Sequence, residues 1–84
     1  MRTIDDISEE EIDLLYKRIG ANVKKRREAK GLTQLQLALK MNLKSVGLIS
    51  QGELYLKKQH FNIKHLYQIA YILECNIEDF FQST

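Results

Sequence analysis

The sequence predicts an all-α fold. Its 84 residues contain no proline and only four glycines, and β-branched residues do not form runs. This composition favours helices over strands. Apolar residues also recur at steps of three and four positions, as on the buried face of a helix. Because the length allows one domain, we expect a compact fold of five short helices with an N-terminal helical extension.

The first helix is predicted to begin after Ser8. Ser8 and Glu11 match a capping box, and the acids of the first turn suit the positive end of the helix dipole. Gly20 is expected to weaken or bend this helix near the end of an acidic extension, residues 1–18, and Gly31 to end it in a left-handed conformation. Residues 19–84 would form the main domain. The apolar stripe of the helix consists of Ile12, Leu15, Tyr16, Ile19 and Val23.

Two short helices are predicted next, over residues 34–41 and 45–53. Thr33 and Gln36 match a second capping box, and Asn42 can end the first of the two helices in a left-handed conformation. The second contains two glycines, so tertiary packing must stabilise it. The expected buried positions are Leu35, Leu37, Ala38, Met41, Val46 and Ile49.

A loop and two further helices complete the prediction. Residues 54–61 lack a helical period and are predicted to form a loop with apolar anchors. Asn62 can cap a fourth helix, and Asn76 with Asp79 predicts a short last one. Their apolar positions are Leu66, Ile69, Ala70, Leu73, Ile77, Phe80 and Phe81.

The charges are unevenly distributed along the chain, although the net charge is only +2. Residues 1–16 carry six acids and one arginine, a net −5; residues 17–64 carry twelve basic residues and two acids, +10; residues 65–84 carry three acids, −3. A basic block between acidic ends is typical of a nucleic-acid binder. A solvated face that serves only solubility would have the same pattern.

Several function classes find no support in the sequence. The single Cys75 cannot form an intramolecular disulfide and suits a small buried position, and His60 and His65 lack metal-ligand spacing. No catalytic set, signal peptide or membrane-spanning run stands out. We therefore expect a cytoplasmic protein that is not an enzyme and has no cofactor, metal or membrane partner.

The two helices over residues 34–41 and 45–53, joined by a turn of about three residues, have the sequence shape of a helix-turn-helix. Residues 19–81 resemble the lambda-repressor-like (Cro/XRE-type) DNA-binding family, through the order and spacing of the whole set rather than any single residue. The matching positions are Val23, Arg27, Gly31, Leu32, Thr33, Gln34, Leu37, Ala38, Asn42, Leu43, Ile49, Ser50, Glu53, Leu66, Ile69, Ala70, Leu73 and 77–81.

This resemblance implies that residues 19–84 form the helix-turn-helix DNA-binding domain of a sequence-specific transcriptional regulator, like small phage repressors or restriction–modification controllers. The regulator would bind a palindromic or pseudo-palindromic operator in double-stranded DNA as a homodimer, through residues 45–53 as its recognition helix. The alternative is a protein-interaction module, such as an antitoxin, that keeps the fold. The candidate DNA-binding residues are Thr33, Gln34, Lys44, Ser45, Val46, Gly47, Ser50, Gln51, Lys57 and Lys58.

Several of these assignments leave two roles open. Thr33 can cap its helix, contact a phosphate, or do both, and Gln34 is implied to contact a phosphate. Gln51 could pair with adenine and Lys44 with guanine or a phosphate. Val46 could meet a thymine methyl group or pack in the core. Three further lysines could contact phosphates or simply be solvated, namely Lys24, Lys25 and Lys30.

The chain departs from the family pattern by one additional residue between Thr33 and Ile49. Either the turn is longer by one residue, or Leu48 takes the buried position. We prefer the longer turn because it buries Ile49 and keeps Glu53 in place. The resemblance implies that Glu53 pairs with Arg27 and ties the first helix to the recognition helix.

Aromatic residues near the C-terminus could fill the core or form a dimer contact across the last two helices. They are Tyr67, Tyr71, Phe80 and Phe81. The acidic extension could cap the core or reach the partner subunit.

Overall fold

A computed structural model describes residues 1–83 and shows a compact, all-helical chain, with 70% helix and no strand in that part. Four α-helices are present: α1 (Glu9–Ala29), α2 (Gln34–Lys40), α3 (Gly47–Leu54) and α4 (Ile63–Leu73). Three 3₁₀ helices accompany them, at Ile4–Asp6, Leu56–Lys58 and Ile77–Phe81. The predicted count of five helices is therefore not confirmed, since the last predicted helix is a 3₁₀ turn. No helix among the described residues is long and apolar enough to cross a membrane.

The predicted starts of α1, α2 and α4 are confirmed by their hydrogen bonds. Ser8 Oγ accepts the Glu11 N–H at 3.2 Å, and Thr33 Oγ1 accepts the Gln36 N–H at 3.0 Å. The reciprocal bonds of both capping boxes are also formed. Left-handed residues follow α1 and α2, as predicted, and Asn62 caps α4 through the His65 N–H. The left-handed residues are Gly31 and Asn42.

Helix α1 is one continuous helix of 21 residues that passes through Gly20, so the predicted weak point or bend is wrong. Gly20 is buried where α1 meets the end of α3. A Cβ atom at this position would lie 2.5 Å from the carbonyl oxygen of Glu53, closer than real Cβ atoms come. Glycine here serves the close approach of two helix backbones.

Eleven apolar residues form the core where α1, α2, α3, α4 and the C-terminal 3₁₀ helix meet. Leu35 was predicted to be buried but is exposed, and Ile12 and Leu15 at the start of α1 are also largely exposed. Phe80 is completely buried, so it belongs to the core and not to a surface. The core consists of Ile19, Val23, Leu37, Ala38, Ile49, Phe61, Leu66, Ile69, Ala70, Leu73 and Phe80.

Candidate nucleic-acid interface

The connection between α2 and α3 is longer than the sequence indicated. Helix α3 begins at Gly47, not at residue 45, and Val46 is its N-cap residue. Ile49 is completely buried whereas Leu48 is only partly buried. This burial agrees with the longer turn and with the preferred alignment of Ile49.

The later start of α3 changes where several candidate residues lie. Lys44 and Ser45 are exposed in the turn before α3, not on the helix, and Val46 is half-buried beside them. Gln51 is exposed on α3. Ser50 is half-buried, and its hydroxyl donates to the Gly47 carbonyl at 3.2 Å, so that its oxygen alone remains free to accept from a partner. Of the candidate residues in this region, Lys44, Ser45 and Gln51 are thus exposed.

A buried ion pair connects α1 with the end of α3. Arg27 Nε donates to Glu53 Oε2 at 2.7 Å, and Arg27 Nη2 donates to Glu53 Oε1 at 3.0 Å. Both residues are buried, with 6% and 2% of their surface exposed. The hydrogen bond that Arg27 donates to Glu53 raises the pKa of Arg27 above its ordinary value, against the opposing effect of burial. The geometry is the bidentate arrangement that makes Arg–carboxylate pairs strong.

The same pair also joins the start of α2. Arg27 Nη1 donates to the Leu32 carbonyl at 2.7 Å, and Gln34 Nε2 donates to Glu53 Oε1 at 3.0 Å. The amide nitrogen of Gln34, a residue assigned to a phosphate by resemblance, thus bonds within the protein, and the residue is half-buried. The contact between Gln34 and Glu53 was not predicted from the sequence. The only indication is the capping box at Thr33, because it places Gln34 in the first turn of α2.

The loop after α3 adopts an unusual backbone. Tyr55, Lys57 and Lys58 all have left-handed φ angles, between 52° and 59°. For a residue other than glycine, this conformation costs about 1–2 kcal/mol. The predicted loop over residues 54–61 contains a 3₁₀ turn at Leu56–Lys58, which was not expected. Its expected apolar anchoring is confirmed at Phe61, which is a core residue.

Contacts with α1 hold this loop. The Tyr16 ring stacks on Tyr55 and on His60, with ring centroids 5.4 Å and 4.0 Å apart. Tyr55 Oη donates to Asp13 Oδ1 at 2.9 Å. Burial, and then this bond to Asp13, raise the pKa of the Tyr55 phenol. Two residues that the sequence placed in the acidic extension, Asp13 and Tyr16, thus contact the loop that follows the candidate recognition helix.

The two loop lysines differ in their surroundings. Lys58 Nζ lies 3.9 Å from Asp13 Oδ1, whereas Lys57 forms no ion pair within residues 1–83. Both are exposed. An exposed pair of this length contributes about 0–1 kcal/mol, but the carboxylate lowers the local positive potential at Lys58. Of the two loop lysines, Lys57 therefore has the positive charge that is less compensated by a nearby carboxylate.

Comparison of the chain with protein-family models, curated proteins and solved structures finds no match.

Four exposed basic residues near the C-terminal end of α1 differ in their surroundings. Arg26 lies 3.5 Å from Asp79, and Lys30 lies 3.9 Å from Glu74. The acidic C-terminal segment therefore neutralises part of the basic block. Lys24 and Lys25 are exposed and form no ion pair within the described part of the chain, which keeps both phosphate contact and plain solvation open for them.

Helix α4 exposes a row of large side chains, here called the α4 stripe: Ile63, Tyr67 and Tyr71. They follow at steps of four residues and are 67%, 68% and 82% exposed. A row of this kind on one helix face is an apolar surface that a second protein can cover. Cys75 lies near its end and is half-buried, and burial raises the pKa of its thiol.

Proposed function

We propose that the chain is a sequence-specific DNA-binding transcriptional regulator of the lambda-repressor-like type, with α2 and α3 as its helix-turn-helix and α3 as its recognition helix. The observation that carries this proposal is the position of Glu53. Its buried carboxylate accepts hydrogen bonds from Arg27 on α1 and from Gln34 at the start of α2. The end of α3 is thereby fixed relative to both helices, while Gln51, two residues earlier, is exposed.

A fixed helix with exposed polar residues suits reading of the major groove. Such a helix presents three or four side chains to base edges, while flanking groups contact phosphates. Gln51 can bond bidentately to adenine, and Ser45 and Ser50 can add single hydrogen bonds. Lys44 and Lys57 supply cations before and after α3. Because residues 41–58 contain no arginine, we expect phosphate contacts to provide much of the affinity.

The first test is the salt dependence of DNA binding by the Lys44→Ala variant. Each phosphate that a lysine neutralises contributes about −0.9 to the slope of log K against log salt concentration. We expect the substitution to weaken binding on every duplex and to reduce the slope by about 0.9. Fluorescence anisotropy with an operator selected from a random library would measure both quantities.

Arg18→Ala is a matched control for this experiment. Arg18 lies in a groove beside Asn22. The Asn22 side-chain amide donates hydrogen bonds to the carbonyls of Phe80 and Gln82, so this side of α1 faces the C-terminal segment. Its removal should leave the salt slope unchanged. If the wild-type protein gives no salt-sensitive binding to any selected duplex, DNA binding is refuted and the protein-interaction module becomes the better proposal.

We further propose that the regulator is a homodimer that pairs through the α4 stripe. Two copies related by a two-fold axis would present two recognition helices about 34 Å apart to a palindromic site. The Tyr71→Arg substitution places a charge in this surface, and we expect it to shift the protein from dimer to monomer, because two like charges would meet across the axis. Sedimentation equilibrium measures the mass. A mass that Tyr71→Arg leaves unchanged, or a monomeric wild type, would contradict this surface.

A further inference from the structure

The loop after α3 is held from outside its own segment. Tyr55, Lys57 and Lys58 have left-handed backbones, which residues other than glycine rarely adopt without support from their surroundings. Two residues of α1 contact the loop at both ends of this stretch: Tyr55 donates a hydrogen bond to Asp13, and the Tyr16 ring stacks on Tyr55 and on His60. No comparable support is available from the loop's own sequence, which contains no glycine or proline between residues 54 and 62.

The position of this loop determines where Lys57 lies. Tyr55 is both the C-cap of α3 and a stacking partner of Tyr16, so a single contact fixes the end of α3 and the path of the next residues. Lys57 follows two residues later and is exposed. A cation held in one place loses less conformational entropy on binding a phosphate than one on a mobile loop.

We propose that Tyr16 and Asp13 are positioning residues, which hold the loop after α3 so that Lys57 is presented to the phosphate backbone of DNA. The inference rests on the proposed DNA-binding function. It assigns the acidic segment before residue 18 a role in binding, although this segment itself carries the wrong charge for DNA. Asp13 orients Tyr55 and also partly compensates Lys58, which leaves Lys57 as the phosphate contact of the loop.

The experiment compares Tyr16→Ala with Tyr16→Phe, which keeps the ring and therefore the stacks. Tryptic cleavage under native conditions, with the cut sites mapped by mass spectrometry, reports the mobility of the loop at Lys57 and Lys58. We expect Tyr16→Ala to be cut there about tenfold faster than the wild type, because local opening exposes the bonds. Tyr16→Phe should be cut at the wild-type rate.

DNA binding is measured on the same variants with a mixed-sequence duplex of about 30 base pairs, over a series of salt concentrations. We expect Tyr16→Ala to bind about fivefold more weakly and with a salt slope smaller by about 0.9, and Tyr16→Phe to behave like the wild type. Lys57→Ala should weaken the wild-type protein but have little further effect in the Tyr16→Ala background, since coupled residues are not additive. Tyr55→Phe removes the hydrogen bond to Asp13 without changing any charge, and it provides the same test if Tyr16→Ala does not fold.

Each result supports or overturns one step. Unchanged cleavage at Lys57 and Lys58 in a folded Tyr16→Ala variant, or cleavage spread evenly over the chain, would overturn the positioning role. Faster local cleavage with unchanged DNA binding, or additive effects of Tyr16→Ala and Lys57→Ala, would overturn the link to DNA. A wild-type protein that binds no duplex would refute the proposed function itself. The cleavage pattern would then test only whether Tyr16 holds the loop after α3.

Discussion

Replacement of Glu53 by Gln is expected to lower the free energy of unfolding by about 3 kcal/mol, the lower part of the range for loss of one partner from a buried ion pair. The substitution keeps the shape of the side chain but removes its charge. Arg27, with only 6% of its surface exposed, would then remain as a buried cation without a counter-charge. In a domain of this size each kcal/mol corresponds to about 4–8 °C, so the melting temperature should fall by more than 10 °C. Thermal unfolding followed by circular dichroism measures the melting temperature, and urea unfolding at 25 °C measures the free energy.

Glu74→Gln is the matched control. It removes the same charge from the exposed pair with Lys30, whose atoms are 3.9 Å apart. Exposed pairs contribute about 0–1 kcal/mol, so this variant should be close to the wild type. Equal stability losses in the two variants, or an unchanged melting temperature in Glu53→Gln, would remove the structural role assigned to the buried pair.

The features that were predicted from the sequence correctly are those set by neighbouring residues. A capping box is a local pattern over four residues, and the boxes at Ser8 and Thr33 form as expected. The left-handed ends at Gly31 and Asn42 follow from the intrinsic freedom of these residue types. The α4 core positions follow the helical period because one whole face of that helix is buried.

The features that were missed depend on tertiary contacts. Leu35 has the residue type of the core, but its position in the first turn of α2 points it to solvent. Gly20 has the intrinsic preference of a helix breaker, yet packing against α3 overrides it. The stack of Tyr16 on Tyr55 joins residues 39 positions apart, so no local sequence pattern predicts it. The apolar anchoring of the loop over residues 54–61 was expected, but the sequence did not distinguish Phe61, which is buried, from Leu54 and Leu56, which are exposed.

The candidate site was predicted in part for the same reason. The pair of Arg27 and Glu53 came from a resemblance in spacing, and the structure forms it. The extra residue in the turn was recognised, but its consequence, the later start of α3 at Gly47, depends on how Ile49 packs. Lys44 and Ser45 consequently lie before the helix and not on it.

The second large effect is expected at Gly20. Replacement by Ala in a helix interior normally raises stability by about 0.5–1 kcal/mol, because alanine has the higher helix propensity. Here the added Cβ would press against the carbonyl oxygen of Gly52 and lie 2.5 Å and 2.8 Å from the carbonyl oxygen and carbon of Glu53. These are backbone atoms, so they cannot rotate away. We expect a loss of about 3 kcal/mol or more, measured by urea unfolding.

Gly47→Ala tests whether the effect comes from the contact and not from the substitution itself. Its Cβ would have only Ser45 Oγ nearby, at 3.7 Å, which is ordinary contact distance, so its stability should be unchanged or slightly higher. The clash at Gly20 can be relieved only by moving α1 and α3 apart, and that movement pulls Glu53 away from Arg27. The two substitutions should therefore not be additive. The double variant Gly20→Ala with Glu53→Gln should lose less free energy of unfolding than the sum of the two single variants, by about 1 kcal/mol or more. Strict additivity would show that the close approach and the ion pair are independent, which would contradict a shared role in fixing α3 against α1.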